Sequence, residues 1–281
     1  MKVFIVDLKK NILSPQFIIS VFVFLLLFLL SDAPLISPRN PMSVLDEIVR
    51  FRKDKWIEKG TEFFYLNILF RFDNSLWYSI VLPVLSSFSA LYSFKNEWFT
   101  DSYVFTLSRY GYKQFAFSKM LASFFTGLLS FLCGILLFLM ITYLIFPKAD
   151  SFGDSITLSF NYHLFCDKII CNAILCGMYG MLSILLLLLI KDYFFTLCLY
   201  VVIEYFSMRA ENKLQNMIME EQWENRTLLL LFPNRFNDMY YLIPDYTNIS
   251  FYWCIPLTAV IGAIMVLIAL ILIKRRYKYC E

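Results

Sequence analysis

Six long apolar runs, separated by short polar stretches, set the pattern of this chain, at about 16–31, 75–94, 120–146, 169–190, 193–208 and 252–273. In the third, from Met120 to Phe146, 27 consecutive residues carry no charge. A hydrocarbon core of about 30 Å takes about 20 helical residues to cross. With no water there, the backbone closes its own hydrogen bonds, which requires helix. The pattern therefore predicts an all-α, polytopic membrane protein with six transmembrane helices, residues 1–281 forming a single transmembrane domain. Lys191-Asp192 is nearly the whole connection between the fourth and fifth runs. So short a link makes an antiparallel helical hairpin. Pro83 inside the second run predicts a kink.

The flanking segments have their own patterns. In 1–15, Val3, Phe4, Val6 and Leu8 alternate loosely with Lys2, Asp7, Lys9 and Lys10. Such a helix is expected in the membrane interface, its lysines toward anionic lipid. Ser14-Pro15 then turns the chain into the first run. Segment 32–74 contains Leu45, Ile48, Val49, Arg52 and Trp56 at helical spacing, which predicts an amphipathic helix over 43–59. Segment 209–251 combines an acidic helical stretch with Leu228–Phe232, five apolar residues ended by Pro233. Five residues cannot span, so this run is expected to dip into the outer leaflet.

Composition agrees with the membrane reading. Hydrophobic residues make up 59% and charged residues only 17%, where soluble domains carry about 25% charged. No polar segment is long enough for a separate catalytic domain. The net charge of +3 is spread along the chain and gives no footprint for nucleic acid.

Lys/Arg bias sets orientation. With the N-terminus in the cytoplasm, segments 1–15, 95–119, 191–192 and 274–281 hold 12 Lys/Arg in 50 residues, against 13 in the 108 residues of 32–74, 147–168 and 209–251. Both termini are therefore expected in the cytoplasm and 32–74 and 209–251 outside. A cleaved signal peptide is the competing reading of the start. It fits poorly, because Pro34 would follow the cut after Ser31-Asp32-Ala33 and the apolar run is long.

Candidate chemistry is sparse. None of the eight glycines forms the G-x-x-x-x-G-K-[S/T] loop that cradles phosphates. Any ATP hydrolysis therefore belongs to another chain. No metal, cofactor or catalytic residue is expected. His163 is the lone histidine and Glu220, Glu221 and Glu224 read as a solvated helix face. Glu204 is the one carboxylate well inside a predicted span, which makes it a candidate for the translocation path; pairing with water or Arg209 is the plainer alternative. Ala122, Thr126, Ser130 and Gly134, with Gly127 beside them, form a small-residue stripe for close helix approach, within the chain or between subunits. Four of seven cysteines lie in apolar runs, and no spacing demands a disulfide between Cys166 and Cys254.

Segment 95–119 is the longest segment assigned to the cytoplasm. Its Trp98, Phe99, Tyr103, Phe105, Tyr110, Tyr112, Phe115 and Phe117 are too many aromatics for a solvated loop. A partner surface is expected, either lipid headgroups or another protein.

With the N-terminal stretch DLKKNILSPQ from Asp7 to Gln16, this segment resembles the permease subunit of type-2 ATP-binding-cassette (ABC) exporters. That family starts with an interfacial elbow helix. Its first cytoplasmic loop opens with a Glu, passes a Leu-Ser/Thr-Arg turn and closes with a Lys. Glu97, Leu107-Ser108-Arg109 with Gly111, and Lys119 stand at those positions, while Thr100-Asp101 replaces a Gly common in the family.

The resemblance implies an elbow helix at 1–15 and a cytoplasmic coupling helix within 95–119. It implies ATPase coupling through Glu97, Trp98, Asp101, Leu107, Ser108, Arg109, Tyr110, Gly111, Tyr112 and Lys119. Two permeases, alike or different, would dimerise on two cytoplasmic ABC ATPase subunits in a bacterial plasma membrane. The expected function is export of a hydrophobic or amphipathic substrate, such as a peptide or bacteriocin. A non-transporting sensor or immunity protein that binds a peptide at its outer loops is the alternative.

Overall fold

The computed structural model describes residues 2–30, 32–33, 42–43, 45, 76–100, 102–145, 162–221 and 247–277. Among them are seven long helices: α1 (Lys2–Ile12), α2 (Pro15–Leu30), α3 (Leu76–Phe99), α4 (Ser102–Ile145), α5 (Tyr162–Ile190), α6 (Tyr193–Glu221) and α7 (Thr247–Tyr277). Strands β1 (Asp32–Ala33) and β2 (Met42–Ser43) pair antiparallel over two residues each. The described residues of each of the six apolar runs lie on a helix, α2 through α7. The amphipathic helix expected over 43–59 and the run Leu228–Phe232 fall outside the described residues, apart from Ser43 and Leu45.

Among the described residues, three stretches are long and apolar enough to cross a bilayer: Ser102–Ile141 of α4, Ile169–Ile190 of α5 and Thr258–Arg275 of α7. α1 and α2 pass the same measure only together, bent by 57°. In α6 the apolar part is the shorter Tyr193–Ile203, and α3 is interrupted by Ser79, Ser86, Ser87, Ser89 and Ser93. These helices support membrane insertion. The count of six spans goes beyond them and belongs to the proposal below.

Polar side chains make the turns. Ser14 Oγ donates to the Asn11 carbonyl at 2.6 Å and accepts from the Phe17 N–H at 3.2 Å, so one hydroxyl closes α1 and caps α2. Pro15 follows at the first helical position, where its missing N–H is not needed. The hairpin expected at Lys191-Asp192 is present. Lys191 turns the chain with φ 63°, and Asp192 Oδ1 accepts the Phe195 N–H at 2.7 Å to cap α6. α3 runs through Pro83 as one helix.

α5 is the central element, packed against α3, α4, α6 and α7. A side-chain methyl on Gly127 of α4 would collide with the Cys176 carbonyl of α5, and one on Gly180 of α5 with the Ser123 carbonyl of α4. The two backbones thus touch where only glycine leaves room. Ala122, Thr126 and Ser130 are buried, Thr126 against Asn11 of α1, and a methyl on Gly134 would meet Phe24 of α2. The small-residue stripe therefore serves contacts within the chain, and the subunit-interface alternative for it is set aside. Tyr200 of α6 is fully buried and donates its hydroxyl to the Tyr179 carbonyl of α5 at 2.9 Å.

Two apolar clusters fill the interior. Phe24, Phe28, Phe131 and Phe138 anchor the first, with ring centroids 5.7–6.3 Å apart. Leu91, Phe94, Trp98, Phe115, Met120, Leu187 and Ile273 build the second, which takes in the inward side chains of segment 95–119.

Candidate functional site

Segment 95–119 is a helical hairpin and not an extended loop. α3 continues to Phe99, and α4 begins at Ser102. At the turn Thr100 Oγ1 donates to the Asn96 carbonyl at 2.6 Å, and Ser102 Oγ donates to the Glu97 carbonyl at 3.2 Å. Gly111 breaks α4 with φ 77° and ψ 158°, backbone that side-chain-bearing residues rarely adopt. The break separates a short helix, 102–110, from the long helix that follows it.

That short helix is amphipathic. Leu107 is buried and Tyr103 half-buried, while Val104, Phe105, Ser108, Arg109 and Tyr110 are exposed, Phe105 at 79%. Trp98 stacks on Tyr103 at 4.2 Å between ring centroids and on Phe94 at 5.4 Å. Trp98, Leu107 and Phe115 therefore find their apolar partners inside the chain. The expected partner surface for 95–119 is therefore needed by only part of its aromatics. Phe99, Phe105, Tyr110 and Phe117 are the ones left exposed.

Four ionised groups from three helices meet at the base of the hairpin. Lys119 Nζ of α4 lies 2.6 Å from Asp7 Oδ1 of α1 and 2.5 Å from Glu97 Oε2 of α3. Glu97 Oε1 also meets Lys10 Nζ of α1 at 2.6 Å, and Ser118 Oγ donates to Asp7 Oδ2 at 2.5 Å. Burial pushes the Glu97 carboxyl up, but the charge of Lys119 and hydrogen bonds from Lys10 and Lys119 outweigh it and hold the group below its ordinary value. Two cations and two anions close the cluster with no net charge, which makes burial of Asp7 and Lys119 tolerable.

Below the ions, neutral polar pairs pin α1 to the bundle. Asn11 Nδ2 donates to Thr126 Oγ1 of α4 at 3.1 Å. Ser89 Oγ of α3 donates to the Asn11 carbonyl at 3.0 Å and lies 2.9 Å from Ser14 Oγ. α1 thus turns its polar side, Asp7 and Asn11, into the bundle, while Ile5 and Val6 are exposed. The expectation of lysines facing lipid is corrected for Lys10, which binds Glu97.

The predicted site residues separate into groups. Glu97 and Lys119 are brought together in the ion cluster. Trp98 and Leu107 turn inward. Ser108, Arg109 and Tyr110 face out on the hairpin tip, Gly111 sets the break and Tyr112 is half-buried. Asp101 lies outside the described residues. Glu204 lies on α6, with its side chain outside them; its neighbours Tyr205 and Phe206 are exposed. Cys166 is a free thiol. Among the described residues, no group of three His, Cys, Asp or Glu is placed to hold a metal ion.

Sequence reasoning missed Asp7, Asn11, Ser14, Ser89 and Ser118 as site residues. A signal existed: Asp7, Asn11 and Ser14 follow at i, i+4 and i+7, a polar stripe on an otherwise apolar and basic helix. Comparison with protein-family models, with curated proteins and with solved structures finds no match to this chain.

Proposed function

We propose that this chain is the permease subunit of an ABC exporter, a six-span protein of a bacterial plasma membrane with both termini in the cytoplasm. The observation that carries the reading is the 95–119 hairpin. It is a compact helical projection, braced from behind by Trp98, Leu107 and Lys119, that presents Phe105, Arg109 and Tyr110 outward. Apolar area left in water forgoes about 25 cal/mol per Å², so an exposed face of this kind fits a docking surface. A cytoplasmic ABC ATPase is the partner, and Arg109 supplies a charged contact at its rim.

The mechanism follows from the braced projection. ATP closes the ATPase dimer, which pulls on two hairpins. Because each is fixed at its base, the pull moves helices and does not bend a loop. The two permeases then switch between inward- and outward-facing arrangements by rigid-body rotation. The cargo is a hydrophobic or amphipathic molecule, with peptides foremost. Hydrolysis is the partner's, since this chain has no phosphate-binding loop.

The test is co-expression with ABC ATPases of the bacterium that carries this chain, starting with any encoded beside it. The wild-type pair should co-purify and hydrolyse ATP faster than the ATPase alone. Phe105→Ala/Tyr110→Ala should lose both properties with thermal stability unchanged. Variants that co-purify and export normally would make the hairpin a lipid anchor and overturn the reading.

A further inference from the structure

We propose that Asp7, Lys119, Glu97 and Lys10 form a clamp that makes the elbow helix α1 and the 97–110 hairpin a single moving body, with Asp7 as its positioning residue. The coupling role of the clamp rests on the permease reading; its mechanical role does not.

Three observations carry the proposal. The first is placement. The cluster joins α1, the end of α3 and the part of α4 that follows the break at Gly111, where the hairpin leaves the bundle. A joint at that point controls how the tip can swing. The second is burial. Asp7 and Lys119 are each 7% exposed, so neither exchanges its partner for water without losing compensation for a buried charge. The third is connectivity. Asp7 holds Lys119 through Oδ1 and Ser118 through Oδ2. One carboxylate therefore fixes two successive residues of α4, and Lys119, so oriented, holds Glu97.

The consequence reaches the first apolar helix. α1 passes into α2 across a 57° bend. Ser14 closes that bend and also touches Ser89 of α3. A displacement of the hairpin that leaves the clamp closed must carry α1 with it, and α1 carries the start of α2. The elbow helix acts as a lever between the hairpin and α2. Lys10 is the exposed member of the cluster, screened by solvent, and contributes least to the joint.

The first arm of the test uses the full chain alone in lipid nanodiscs and reads amide hydrogen exchange. Asp7→Asn should raise exchange across 97–110 by about tenfold and leave 120–138 unchanged. Ser118→Ala removes one hydrogen bond only and should raise it by about threefold in the same segment, which keeps the arm decisive if Asp7→Asn does not accumulate. Unchanged exchange across 97–110 in both variants overturns the clamp.

The second arm adds the ABC ATPase. Asp7→Asn should still bind it but lose stimulated hydrolysis. Asp7→Cys/Ser118→Cys, in a cysteine-free chain, should regain stimulation when joined by a short thiol cross-linker. A covalent tie replaces a mechanical joint but not a chemical role of the carboxylate. Full stimulation by uncross-linked Asp7→Asn overturns the lever. If the wild-type chain binds no ABC ATPase, the permease reading fails while the first arm still decides the clamp.

Discussion

Asp7 and Lys119 are 112 positions apart in the chain and meet at 2.6 Å in a buried site. Their contact ties the start of the chain to the base of the hairpin. Removing the cation should therefore leave the buried Asp7 with only the Ser118 hydroxyl and Glu97 with only the exposed Lys10. Lys119→Met should cost about 3–5 kcal/mol, the usual penalty for leaving a buried charge without its partner. Thermal unfolding in detergent reads it. Lys119→Arg, which keeps the charge, should lose much less; equal losses for Met and Arg would mean that packing and not charge is at stake.

The depressed Glu97 carboxyl makes stability depend on pH with a definite sign. A group with a lowered folded value stabilises above its unfolded value and loses that contribution as pH falls through the folded one. The wild-type melting temperature should therefore decline below about pH 4.5, the ordinary glutamate range. Glu97→Gln should start lower at neutral pH and show a shallower decline. Parallel curves for the two proteins would place the acid sensitivity elsewhere.

Gly111 has open space around it, with no atom within 4 Å of the position a side-chain methyl would take. Its requirement is backbone alone, φ 77°. Gly111→Ala should cost about 1–3 kcal/mol of strain or rotate helix 102–110 to relieve it. Cysteine labelling rates at Ser108 and Arg109 would report the rotation. Wild-type rates and stability would show that the break at 111 is not glycine-dependent.

Gly180 and Gly262 give opposite expectations for the same substitution. Gly180→Ala drives a methyl into the Ser123 carbonyl and should cost about 1–3 kcal/mol by forcing α4 from α5. For Gly262→Ala the nearest atoms are the Met178 sulfur at 3.8 Å and methyl carbons of Met178 and Met181 at 3.9 Å, ordinary contacts with flexible side chains. It should be neutral or slightly stabilising. A comparison of melting temperatures decides, and equal effects would refute the close approach at Gly180.

The proposed orientation is checked by single cysteines at Ser102 and Lys59 in a cysteine-free chain. Ser102 is exposed at the hairpin tip, so access to reagent is not limited by packing. An impermeant thiol reagent applied to intact cells should label position 59 and leave position 102 until the membrane is opened. The reverse pattern would invert the topology.

The sequence by itself determined where helices form. Lipid offers the backbone of runs such as Met120–Phe146 no hydrogen-bond partner, and a helix satisfies its own locally, so the described part of each run falls within one of α2 to α7. Local chemistry also made the Lys191-Asp192 hairpin legible, while the backbone break at Gly111 came from the structure. Helix ends were less so. α3 overruns its apolar run by five residues to Phe99, because bilayer thickness sets where apolar residues stop and not where backbone hydrogen bonding does. Only the tertiary structure decided that Trp98 and Leu107 turn inward while Phe105 and Tyr110 face out. It alone decided that Glu97 and Lys119 share a site with Asp7. Those outcomes depend on which helix packs beside which, and no local period of 3.6 residues records a pairing between positions 7 and 119.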